Sequence, residues 1–136
     1  MTKLSTAIKT ALTAISGLAA VTTNVRRVTR RQDMTDDGVY FQDSTKTADG
    51  IDSDTIKKTE VTVFVLSNSA GNVLAVLEAM DGVFSGKGES GTFLDISTAT
   101  VHCITTKRMR IEDAEWDTEL QRYIGIFQFE AEWSYK

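Results

Sequence analysis

Residues 120–135 read Leu120-Gln121-Arg122-Tyr123-Ile124-Gly125-Ile126-Phe127-Gln128-Phe129-Glu130-Ala131-Glu132-Trp133-Ser134-Tyr135. A strand turns successive side chains to opposite faces, so Tyr123, Phe127, Phe129, Ala131, Trp133 and Tyr135 share one face. Ile124, Ile126, Gln128, Glu130, Glu132 and Ser134 share the other. Period-two alternation with aromatics on one side predicts a long strand that needs a sheet beside it and a core beneath it.

The segment before it, 99–111, is expected to be the antiparallel neighbour, with the acidic stretch 112–117 as the bend between them. Along that neighbour Val101, Cys103, Thr105, Lys107, Met109 and Ile111 alternate with His102, Ile104, Thr106, Arg108 and Arg110. The second set is too polar for a closed core beyond Ile104, which predicts a face open to water or to a partner. Glu130 and Glu132 are the expected cross-strand mates of Arg108 and Arg110.

Working outward, 57–66 is a second strong strand, with Val61, Val63 and Val65 on one face and Glu60, Thr62, Phe64 and Leu66 on the other. Ser67-Asn68-Ser69 supplies capping residues for a helix whose wide stripe is Val73, Leu74, Val76, Leu77, Met80, Val83 and Phe84. Nearer the N-terminus, Leu4, Ile8, Ala11, Leu12, Ile15 and Leu18 recur at helical spacing, predicting an amphipathic helix of about four turns with Gly17 near its stop. A short strand is expected at 38–42, and another at 92–96. The elements add up to one α+β domain over 1–136: a mostly antiparallel sheet of four to five strands with both helices packed on one face.

A chain of 136 residues with no proline, one Cys and one His can hold a core without disulfides, burying about two-thirds of its unfolded surface. A lone Cys103 and a lone His102 argue against a disulfide scaffold and against Cys/His metal clusters. The net charge of −4 gives no global pull toward nucleic acid. Ser, Thr and Lys9 interrupt every apolar run of the first 21 residues, so neither a secretory signal nor a membrane span fits, and a soluble intracellular product is expected.

The run Arg26-Arg27-Val28-Thr29-Arg30-Arg31 puts four arginines in six residues. Three readings stay open: a solvated strand edge, a contact with carboxylates of a neighbouring subunit, and a contact with phosphates. Residues 33–38 imitate the start of a calcium loop, but Thr35 stands at the third ligand position and Ser44 where a bidentate Glu should close it, so no calcium site is expected. Residues 43–56 read as a polar loop, either mobile or a partner-binding arm.

Gly86-Lys87-Gly88-Glu89-Ser90-Gly91 has the letters of a dinucleotide fingerprint. That fingerprint requires a strand before it and a helix after it, and here the order is reversed, which leaves a flexible turn. Cys103 beside His102 is wrong for a nucleophile and its base, because neighbours on a strand point to opposite faces. No catalytic constellation and no cofactor site is read, and the chain is not expected to be an enzyme.

The order of elements, the strand 60–65, and above all an Arg-bearing strand, an acidic bend with Trp116-Asp117 and the pattern Tyr123-x-Gly125-x-Phe127-x-Phe129 resemble the tail terminator or tail completion proteins of long-tailed bacteriophages. The resemblance covers nearly the whole chain. It implies a non-catalytic virion subunit that forms a homo-oligomeric ring, with a hexamer expected, at the head-proximal end of the tail tube after assembly in the host cytoplasm. The ring would stop tube growth and offer a docking face, with the tail tube protein and the head-tail connector as partners. DNA would pass the lumen without being read, and no membrane would be involved. The loops and hairpin edges are expected to make the contacts: Arg26, Arg27, Arg30, Arg31, Lys46, Asp49, Asp52, Lys87, Glu89, Arg108, Arg110, Glu130 and Glu132. The alternative is a DNA-binding accessory protein that uses residues 26–31.

Overall fold

A computed structural model describes residues 3–15, 17–18, 24–47, 56–85 and 94–136. In chain order these form α1 (Lys3–Thr13), β1 (Val25–Arg27), a 3-10 turn (Arg31–Asp33), β2 (Gly38–Thr47), β3 (Lys57–Ser67), α2 (Ala70–Ser85), β4 (Val101–Asp117) and β5 (Arg122–Tyr135). The strands make one sheet in the order β1-β2-β3-β5-β4. Among the described residues only the β1–β2 pair is parallel. The fold is α+β, as the alternation patterns predict.

The core lies between the sheet and the two helices. Val61, Val63 and Val65 of β3 and Phe127, Phe129, Ala131 and Trp133 of β5 turn to the helices and are buried. Leu4, Ile8 and Leu12 of α1 and Val73, Val76, Leu77 and Met80 of α2 join them in one buried cluster. Ser69 caps α2, its Oγ accepting the Asn72 N–H at 3.4 Å. Leu74, expected in the stripe, is 41% exposed. The helix α1 is shorter than four turns, and the chain turns away before Gly17, which takes φ +91°. Ile15 and Leu18 nevertheless stay buried.

Gly125 explains the small residue in the closing motif. A Cβ there would lie 2.7 Å from both Leu77 Cδ1 and Val73 Cγ1. Its absence lets α2 seat directly on β5.

Three expectations change. The acidic segment 112–117 is no bend but the second half of β4. The turn comes later, at 118–121, where Asp117 Oδ1 accepts the N–H groups of Glu119 (3.0 Å) and Leu120 (2.9 Å) and Gln121 takes φ +55°. An edge strand tolerates the carboxylates because one side of it faces water. Likewise β2 runs on to Thr47, where a loop was expected from residue 43, because its polar side chains find partners: Thr45 Oγ1 lies 2.9 Å from Thr59 Oγ1, and Asp43 meets Arg27. The remainder of that loop, 48–55, lies outside the described residues. Finally, 94–96 is not a strand, although Leu94 and Ile96 are buried and the Leu94 carbonyl accepts the Thr106 hydroxyl at 2.9 Å. Residues 92–93 and the glycine-rich turn 86–91 lie outside the described residues.

Candidate assembly surface

Among the described residues neither α1 nor α2 packs on the other face of the sheet, where side chains stand in rows set by strand register. One row runs Gln42, Thr62, Gln128, Arg110, and the next Ser44, Glu60, Glu130, Lys107. A third places Lys58 beside Glu132, joined Nζ to Oε1 at 3.5 Å. Glu60 and Glu130 are directly opposite each other, a pairing that disfavours the isolated sheet unless a cation lies near. The surface offers ion pairing and hydrogen bonding over four strands, with both signs interspersed.

Bulges in β4 decide which side chains reach this surface. Register slips between Cys103 and Thr105, between Arg108 and Arg110, and between Glu112 and Glu115 break the simple alternation. Thr106 therefore turns into the core, at 5% exposure. The expected pairing of Arg108 and Arg110 with Glu130 and Glu132 is corrected. Lys107 stands across from Glu130 and Thr105 across from Glu132. Arg108 stands across from Phe129, on the helix side, and its Nη1 meets Asp81 Oδ1 of α2 at 2.5 Å. Arg110 keeps to the open face, 3.7 Å from Glu112 Oε1. A bulge inserts one residue and re-aims every side chain after it, so a period-two count through residue 104 loses the faces.

The four arginines of 26–31 scatter in role. Arg26 holds its guanidinium 5.5 Å above the Tyr40 ring. Arg27 lies on the helix side, its Nε 2.6 Å from Asp43 Oδ1, whose other oxygen accepts the Ser5 hydroxyl at 3.2 Å. Arg30 pairs with Asp33 at 3.3 Å, and Arg31 with Asp117 of the hairpin turn. Lys46 is placed by register opposite Lys58. Asp49, Asp52, Lys87 and Glu89 lie outside the described residues.

A second small core, with no signal in the sequence pattern, lies at the upper end of this face. Val28, Met34, Tyr40 and Leu66 are buried there, with Phe64, Leu120 and Ile124 packed against them. The 28–37 segment folds over the open face and is pinned by ion pairs to the β4–β5 hairpin: Arg31 to Asp117, and Arg122 Nε to Asp37 Oδ1 at 2.6 Å. Val28 and Met34 sit in a polar stretch with no periodicity, so only contact across the sheet identifies them as core.

Tyr40 ties the segment down. Its hydroxyl donates to the Asp36 carbonyl at 2.8 Å and accepts the Asp36 N–H (3.3 Å) and Asn24 Nδ2 (3.2 Å) while the side chain is fully buried. Tyr40→Phe strands these partners, and a loss of about 1–2 kcal/mol is expected in urea denaturation. A change below the error of the measurement would show that water replaces the hydroxyl.

Cys103 is a buried free thiol, and burial pushes its pKa up, which suits a core residue and not a nucleophile. His102 is exposed on the opposite side of the strand. Asp95 is held below the usual carboxylate range by hydrogen bonds from the Ser97 side chain and backbone. Among the described residues no group of His, Cys, Asp and Glu stands ready to hold a metal, and no helix is long and apolar enough to cross a membrane.

No family model matches the chain, and no curated protein matches it. Among solved structures, a chain from the virion of a native gene transfer agent (GTA) particle is similar, with a TM-score of 0.66 over 96% of this chain and 94% of that one. The two sequences are 15% identical, so the likeness is one of fold.

Proposed function

We propose that this chain is a structural, non-catalytic subunit of a phage-like virion that closes the tail tube with a homo-oligomeric ring, halts tube growth there and offers a face for head docking. The observation that carries the reading is the end-to-end likeness of fold to a chain of a gene transfer agent virion. The closing motif supports it, as does the mixed-charge sheet face, which suits charge complementarity between copies or between stacked rings. The partners in this reading are further copies of the chain, a tail tube protein and a head-tail connector. DNA passes through the lumen unread.

Negative-stain images and sedimentation of the purified chain test the proposal. Discrete rings are the expected result. A monomer throughout the micromolar range, without capping of added tail tubes, removes it.

The competing reading, DNA binding through residues 26–31, loses ground because three of the four arginines already face carboxylates. Phosphate neutralisation releases counterions, so a DNA binder shows an affinity that falls steeply with salt. Absence of binding at low salt is expected here; a steep salt slope would restore the DNA reading.

A further inference from the structure

The two lateral edges of the sheet differ in length and in charge, and they match each other. At one edge β4 is exposed along 107–116, apart from half-buried Ile111 and Ala114. It carries Glu112, Asp113 and Glu115, all exposed, and its bulge pushes Met109 out to 47% exposure. An exposed edge this long is a template for another strand. At the opposite edge β1 has three residues and pairs with β2 only from Val39 to Phe41. Where the chain leaves β1, a shallow groove of about 310 Å³ opens between residues 27–29 and the open-face side chains of Gln42, Ser44, Glu60 and Thr62.

Strand direction and register make these edges complementary. Three antiparallel steps separate β2 from β4, and β1 is parallel to β2, so β4 runs opposite to both. A second copy set edge to edge without a lengthwise shift therefore meets β4 in the antiparallel sense. The row Arg26, Tyr40, Phe64, Ile126, Glu112 crosses the whole sheet, with exposed Arg26 at one end and exposed Glu112 at the other, both on the open face. Arg108 and Arg110 stand level with Asp43 and Gln42, which places Met109 at the height of the groove.

We infer that the β4 edge of one copy docks on the β1–β2 edge of the next, pairing Glu112 with Arg26 and seating Met109 in the groove, so that the sheet continues from copy to copy. The contact is heterologous, the kind that closes a ring when the rotation allows and grows a filament when it does not. The inference rests on the ring reading and names the surfaces that build it.

Sedimentation velocity of the full chain tests it, with wild type beside Arg26→Glu, Glu112→Arg, the double exchange and Met109→Asp. All three positions are exposed, and circular dichroism melts confirm folding of each variant. Each single reversal is expected to weaken assembly about tenfold or more at low salt, and the double exchange to restore it. Met109→Asp is expected to weaken assembly without rescue by the charge exchange. Reversals that assemble like wild type overturn this interface and leave a ring built through another surface. Loss without rescue in the double variant overturns the Arg26–Glu112 pairing. A wild type that stays monomeric across the concentration range overturns the ring itself.

Discussion

Trp133→Ala is expected to cost about 3–5 kcal/mol, a large share of the 5–15 kcal/mol that hold a domain of this size. Trp133 is 2% exposed and closes the lower end of the core, its ring edge-on to Tyr135 with centroids 4.9 Å apart. Its indole N–H donates to Thr59 Oγ1 at 2.8 Å, and that hydroxyl also meets Thr45. Truncation removes the transfer energy of the ring and leaves a cavity beside β3, whose stiff valines cannot collapse into it. Guanidinium denaturation followed by far-ultraviolet circular dichroism reads the loss, and the melting midpoint is expected to fall by roughly 10–20 °C. Trp116→Ala is the internal control: that ring is 49% exposed and rests edge-on against Tyr123, and its removal is expected to cost under about 1 kcal/mol. Equal losses for the two tryptophans would mean that the core is not where the sheet and helices place it.

Gly38→Ala is the second large effect. A Cβ at Gly38 would lie 2.5 Å from Asn24 Nδ2 and 2.8 Å from the Asn24 carbonyl oxygen. The second of these is backbone and cannot swing aside. That carbonyl accepts the Val39 N–H at 2.8 Å, and the Asn24 amide donates to the Asp37 carbonyl and the Tyr40 hydroxyl. Relieving the clash means moving β1 away from β2 and weakening those bonds together. Overpacking of about 1–3 kcal/mol, with about 1 kcal/mol for each bond lost, brings the expected cost to roughly 2–4 kcal/mol. The damage is local. Hydrogen exchange is expected to quicken at Val28 and Val39, which bond across this joint, while the Phe127 and Phe129 amides keep their protection. Uniform loss of protection would show that β1 is integral to the global fold. If β1 supplies the basic edge of an assembly, the same variant also assembles poorly.

The class of fold was legible because its main signals are local. The alternation along 123–135 and 60–66 states which face of each strand is apolar, and the spacing of Leu4, Ile8 and Leu12 does the same for α1. Those faces have only each other to cover, so an α+β sandwich of sheet and helices follows from pattern alone. The core role of Cys103 was readable for the same reason: adjacent strand residues oppose each other, and its neighbour is His102.

Other features depended on chain segments far apart in sequence. The bulges of β4 leave no trace in composition, yet they send Arg108 to Asp81 and Thr106 into the core, and no period-two count can survive them. The small core of Val28, Met34, Tyr40 and Leu66 exists only because 28–37 folds over the sheet, held by Asp37 to Arg122 across 85 residues of chain. The arginine run left three readings open in sequence, and tertiary placement spreads it over two faces and gives three of its charges carboxylate partners. Which surfaces of the strands and helices must be buried is written along the chain, because hydrophobic periodicity is a property of sequence neighbours. Which charges meet follows from the folded arrangement instead, because register, bulges and long-range ion pairs are properties of neighbours in space.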